Sequence, residues 1–480
     1  MRRSTLVAAT VIFLGGILTP RTTAFAHGRL ESSTPAAGST LATAPSELRL
    51  KFTEIPELVF TTLRLVGPSG DSVVLGPIHY SPDSRRAIVA AIRNPLAAGK
   101  YTVMWQMAGP DGHPIRDRFV FTLSVAATVL PAPSALTPGI SPVPAPGRDA
   151  PPEAHHSAVN MPQGADFGVE SPLFVFVRWL QFAGLVLVIG AVAFRGLVLE
   201  FLRRKQDPDS PMLADAARGA ARVAHAAAGV LLLSLVMRLL AQSYAMHGPN
   251  DYLIPGRLGM MMRDTLWGWG WLIQAFGIAL AGIGFHRAKD GKSGWRLAAL
   301  GALILAFTPG MAGHASSVPR FRLLAQLADG VHIMGASGWL GSLFMVVAAG
   351  LPAAMRLDSH HRGRAIADLV NAFSPTALVF AGVVASTGVF AAWLHLGQAQ
   401  ALWQTQYGKT LLLKLGILSI VAATGAYNWL VVKPRLGKVE GGAKIRRSAM
   451  VELAVGVLVI AVTSVLVATP TAMDMQPMND

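Results

Sequence analysis

His27, Asp111 and His113 are the residues near the start of this chain whose types could hold one metal ion together. Met1-Arg2-Arg3 precedes an apolar run from Leu6 to Leu18, and Ala24-Phe25-Ala26 closes the segment. This is the pattern of a secretory signal peptide with a small-residue cleavage site. Cleavage after Ala26 makes His27 the first residue, so its amine and imidazole close a chelate ring on a single ion. Asp111-Gly112-His113 offers a carboxylate and a second imidazole on one turn, and Gly112 permits the tight backbone between them. Nitrogen ligands in a tetragonal array suit Cu(II), which heads the affinity order of the divalent first-row metals. Spacing alone leaves an ordinary solvated turn open. The weight comes from its coincidence with a histidine exposed by cleavage.

A second set of residues lies inside long apolar stretches, where ionisable groups mark functional sites. Asp329 and His332 are spaced i, i+3 and share one helix face. Arg178, His395 and Lys414 lie near the outer ends of their own stretches, and His314 follows another in a short loop. All six fall in the outer half of the membrane, where a cluster would receive a cation delivered from outside. The plain alternative is that Arg178 and Lys414 snorkel to the interface and Asp329 pairs with a basic neighbour. His225 and His286 read as interfacial at the inner boundary, and Glu452 as a partner of Arg446 or Arg447. Gly335, Gly338 and Gly341 put small residues at three-residue spacing, which suits close helix packing.

The elements that position these residues follow from composition and patterning. The chain has 480 residues, 14% of them charged and 52% hydrophobic, with a mean hydropathy of +0.46. Soluble domains carry about 25% charged residues, so much of this chain faces lipid. The absence of cysteine excludes disulfides, Fe–S clusters, thiolate zinc sites and cysteine-relay metal transfer. Residues 27–125 alternate apolar and polar in short runs such as Leu48-Arg49-Leu50-Lys51-Phe52 and Tyr101-Thr102-Val103-Met104-Trp105, which predicts a β-sandwich or barrel. Met104 and Met107 lie inside that pattern and are expected in the core. Residues 126–171 form a Pro-rich linker that holds a solvated His155-His156 pair and cannot bury a core.

Residues 172–468 contain eight apolar stretches near the ~20 residues a bilayer requires. They run over about 173–200, 219–243, 266–286, 295–312, 323–350, 373–396, 409–432 and 449–468. An exported first domain makes the first span enter from outside. Clusters such as Arg203-Arg204-Lys205 and Lys444, Arg446 and Arg447 then fall in cytoplasmic loops, against only Arg257, Arg263, Arg320, Arg322 and Lys409 outside. That asymmetry obeys the positive-inside rule. It accounts for much of the net charge of +15 without nucleic acid. Residues 469–480 become an extracytoplasmic tail. Lys292-Ser293 lacks the first glycine of a phosphate loop, because position 286 is His, so no ATPase signature is present.

His27-Gly28-Arg29-Leu30, Ser33-Thr34-Pro35-Ala36-Ala37-Gly38, Leu50-Lys51-Phe52-Thr53-Glu54, Gly99-Lys100-Tyr101-Thr102-Val103-Met104-Trp105 and Asp111-Gly112-His113-Pro114 together resemble the CopC family. That resemblance implies a periplasmic all-β Greek-key (Ig-like) sandwich. It also implies Cu(II) bound by His27, Asp111 and His113, with Glu54 as an additional ligand. Asp329-Gly330-Val331-His332 with Gly338-Trp339-Leu340-Gly341, and Thr405-Gln406-Tyr407-Gly408-Lys409 through Lys414 with Asn428, resemble CopD. This implies an α-helical membrane domain of about eight transmembrane helices in the inner membrane, serving copper resistance or import.

The expectation is a non-enzymatic fusion. Its exported domain captures Cu(II), and its membrane domain receives and translocates copper. The expected partners are copper ions, the lipid bilayer and periplasmic copper chaperones, with no nucleic acid. Three other readings remain open on the residues. One is a membrane oxidoreductase with haem held by pairs among His225, His314, His332 and His395. Another is a copper monooxygenase acting on polysaccharide. The last is a copper sensor or buffer that transports nothing.

Overall fold

The computed structural model describes residues 30–109, 112, 114–124, 171–205, 210–288, 291–311, 322–396, 398–427, 430, 441–467 and 469. The signal segment, His27, Asp111, His113, the linker with His155 and His156, His314, Asn428 and the C-terminal tail lie outside them.

Among the described residues, the N-terminal unit is built from nine short strands. β1 (Leu30–Thr34), β3 (Glu47–Phe52), β7 (Ser84–Ala91) and β6 (His79–Ser81) form one sheet in that order. β2 (Thr40–Leu41), β9 (Pro114–Leu123), β8 (Gly99–Ala108), β4 (Thr62–Val66) and β5 (Ser72–Val73) form the other. The chain changes sheets on entering and on leaving β2, and again between β3 and β4, between β5 and β6 and between β7 and β8, as a Greek-key sandwich requires.

Period-two alternation sends one face of each strand inward. Leu48, Leu50, Phe52 and Ile88 of the first sheet therefore share a core with Leu65, Tyr101, Val103, Trp105, Met107 and Phe121 of the second. Phe52 meets Trp105 edge-on at 5.1 Å, and Tyr101 stacks on Phe121 at 5.3 Å. The expectation that both methionines of β8 are core residues needs correction. Three positions separate them, an odd number, so they point to opposite faces. Met107 is fully buried and Met104 lies on the outer face, half-buried.

Among its described residues, the other unit holds eight helices long and apolar enough to cross a membrane. In order they are Pro172–Lys205, Pro211–His247, Leu266–Arg287, Lys292–Met311, Leu323–Met355, Ser359–Leu396, Gln406–Tyr427 and Ala449–Leu466; the text numbers them as spans one to eight. Ser171 caps the first by accepting from the Phe174 amide at 3.2 Å, with Pro172 at the first helical position. Sequence reading misses two short helices, Pro255–Asp264 and Ala401–Gln404, which lead into spans three and seven.

π-helical turns interrupt span one at Phe194–Leu199 and span five at Ser337–Gly341 and Val346–Gly350. The glycine spacing of span five does what its pattern predicts. A Cβ at Gly338 would lie 2.4 Å from the Phe380 ring of span six, and one at Gly341 would strike the Val186 carbonyl of span one at 2.1 Å. Spans one and five therefore meet backbone to backbone.

Candidate metal site

In the N-terminal unit, Ala108 pairs with Pro114 at the end of the β8–β9 ladder, so residues 109–113 connect the two strands. Gly112 has φ +77°, and its amide donates to the Gly109 carbonyl at 2.9 Å. That left-handed conformation is the reason glycine stands there. His27, Asp111 and His113 fall outside the described residues. Glu54 is described: it sits two residues past the end of β3 and is half-buried.

The membrane unit brings four spans together around Asp329 and His332. Both lie on the same face of span five. Asp329 Oδ2 rests against Gly310 of span four, 3.2 Å from where a Cβ would stand. His332 Nδ1 lies 2.9 Å from Thr387 Oγ1 of span six. The Thr387 hydroxyl donates to the Val383 carbonyl at 2.6 Å, so its oxygen is left to accept from His332. The Nδ1 nitrogen therefore carries the proton, and Nε2 keeps its lone pair. Lys414 of span seven lies close enough for its charge to act on both Asp329 and His332, yet it forms no ion pair with either. A carboxylate, a ring nitrogen with a free lone pair and an ammonium thus lie near one half-buried place in the membrane unit.

The remaining expected residues are placed separately. His395 lies eight residues beyond Thr387 on span six, about 12 Å toward its C-terminal end at 1.5 Å per residue. Its Nδ1 donates to the Ala391 carbonyl at 2.8 Å, and its ring faces Tyr407 at 6.2 Å. Arg178 is buried on span one, with its guanidinium 4.8 Å from the centre of the Phe174 ring. Glu452 is buried on span eight, while the side chains of Arg446 and Arg447 lie outside those described. Sequence reasoning misses Arg238 of span two, which donates to Gln274 of span three at 3.1 Å. The signal was a charged residue in an apolar run. It also misses Thr387, which looks like any helix threonine until its partner is known.

Outside the spans, two carboxylates are held below the ordinary range. Ser81 and then Arg49 hydrogen-bond Asp83 beside β7. The ring and amide of His361 hold Asp358 at the start of span six, at 2.9 and 3.0 Å.

Three family patterns match this chain. The CopC domain matches residues 30–124, the Copper resistance protein D-like N-terminal domain residues 169–319, and Copper resistance protein D residues 367–466. The chain is 24% identical over 487 residues to "Copper transport protein CutJ" of Bacillus subtilis (strain 168), covering 99% of this chain and 80% of that protein. "Copper resistance protein D" of Pseudomonas syringae pv. tomato is 24% identical over 308 residues, 61% of this chain and 94% of that one. "Copper resistance protein C" of Escherichia coli is 34% identical over 106 residues, 21% of this chain and 83% of that one.

Proposed function

We propose, for a chain that belongs to the proteins joining a CopC domain to a CopD membrane domain, that the exported unit captures copper and the membrane unit carries it toward the cytoplasm. Copper is the cargo. The exported unit takes it as Cu(II) through the His27 amine and imidazole, Asp111 and His113, with Glu54 as an additional ligand. The linker keeps donor and acceptor on one tether, which raises their effective concentration. Asp329 and His332 then receive the ion in the membrane. His332 offers Nε2 because Thr387 holds Nδ1. Lys414 supplies the positive charge that balances Asp329 while no metal is present, and moves aside when one arrives. His314 and His395 lie on the outer approach, and Arg178 flanks it. The chain has no phosphate loop, so the transfer runs without ATP hydrolysis by this protein.

The observation that carries this reading is the convergence of Asp329, His332, Thr387 and Lys414 from three spans on one half-buried place. Cellular copper accumulation tests it. His27→Ala and His332→Ala are each expected to lower accumulation while the protein still inserts in the membrane. Unchanged accumulation in both would reject the route. Electron paramagnetic resonance tests the exported site separately. A type 2 Cu(II) signal with nitrogen couplings is expected, and it should vanish when an extra residue precedes His27.

A further inference from the structure

A pair of histidines that this route does not use faces the groove between spans two and three. His225 and His286 stand with ring centroids 5.8 Å apart and planes inclined by 44°. His225 Nδ1 lies 3.1 Å from the Gly282 carbonyl. A carbonyl only accepts, so Nδ1 carries the proton and Nε2 keeps its lone pair. No hydrogen bond joins the two rings among the described residues. Both rings are exposed on this open groove, which holds about 470 Å³ and whose other walls, such as Ala228, Gly229, Leu232 and Ile278, are apolar. Gly229 leaves it open, because a Cβ there would meet no atom within 4 Å. The wall holds no carboxylate, and the imidazoles are its only polar side chains.

We propose that His225 and His286 form a two-imidazole site for Cu(I) at the inner end of the membrane unit. Three physical points lead there. A metal bonded at about 2.0 Å to one nitrogen of each ring sets the centroids roughly 6 Å apart when the angle at the metal is nearly straight, close to the spacing seen. Closed-shell monovalent ions favour that two-coordinate arrangement, and imidazole is a ligand copper accepts. Neutral ligands on an apolar groove leave the ion's charge uncompensated, and the cost of holding it on a face turned to lipid is far smaller for one charge than for two. The choice of copper rests on the transport reading above, whereas the two-imidazole geometry does not. The inference concerns binding alone and involves no change of oxidation state.

The test uses the full chain in lipid nanodiscs, without oxygen, with Cu(I) competed against a chromogenic chelator and Ag(I) as a redox-inert monovalent probe. Wild type is expected to bind one equivalent more than His225→Gln, His286→Gln or the double variant, and His332→Ala is expected to keep that equivalent. Saturating Ag(I) should also shield His225 and His286 of the wild type from diethyl pyrocarbonate, read by mass spectrometry. This second readout stands even if a variant folds poorly. Equal stoichiometry in wild type and a folded double variant would overturn the site, as would unshielded histidines. Equilibrium binding involves no translocation, so failure here leaves the accumulation experiment to be judged by itself.

Discussion

A threonine decides which nitrogen His332 presents. Thr387 spends its one proton on the Val383 carbonyl and turns its oxygen toward Nδ1. Partners of this kind fix the orientation of a metal-binding histidine, and their loss costs about 10–100-fold in metal affinity. Thr387→Val should show a loss of that size in competition titrations of the purified protein, and Thr387→Ser should restore most of it. An unchanged affinity in Thr387→Val would remove the threonine from the site. Asp329 and His332 were legible in the sequence because ionisable groups in an apolar run stand out. Thr387 was not, since its role appears only when span six is laid against span five. The same limit hid the meeting of His225 and His286, which are separated in the chain by the loop between spans two and three.

At the scale of elements, the sandwich was readable because its strands alternate cleanly. Phe121 shows what that alternation delivers: it is fully buried and stacked on Tyr101. Phe121→Ala should cost about 3–5 kcal/mol in denaturant unfolding of the N-terminal unit, and a loss under about 1 kcal/mol would contradict the core described. Asp83 gives the unit a pH dependence of known sign. Its carboxyl is held below the ordinary value of about 3.9 by Ser81 and Arg49. The stability it contributes is therefore present above that value and fades as pH falls through its own lowered one. Asp83→Asn should be less stable than wild type at neutral pH, and the gap should close only in strong acid. A gap that does not change with pH would contradict the assignment.

The π-helical turns and the two short helices were not readable. The turns answer to packing between spans one and five rather than to local propensity. The helix Pro255–Asp264 has ten residues, too few for periodicity to separate it from a loop.

Across the whole molecule, the membrane unit uses one pattern twice. Spans two and six have 37 and 38 residues, and spans three and seven have 22 each. Thr265 and Thr405 open the latter pair in the same way. Each hydroxyl accepts from the amide three residues on, at 2.9 and 3.0 Å, and donates to a carbonyl of the short helix before it, at 2.6 and 2.7 Å. Nine residues past each threonine stands a polar side chain, Gln274 beside Arg238 in the first half and Lys414 beside Asp329 in the second. Four crossings return the chain to the side it started from, so the halves run the same way. Because the chain lacks cysteine, single introduced thiols can report this topology. Asn250→Cys should react with an impermeant maleimide from outside and Gly291→Cys only after the membrane is opened. The reverse result would invert the orientation.

Copper flux into proteoliposomes that contain the purified chain and no nucleotide tests the membrane route most directly. Wild type should load the vesicles with copper down its gradient, and His332→Ala, reconstituted to the same density, should fall to the rate of empty lipid. Equal flux through both proteins would contradict the account.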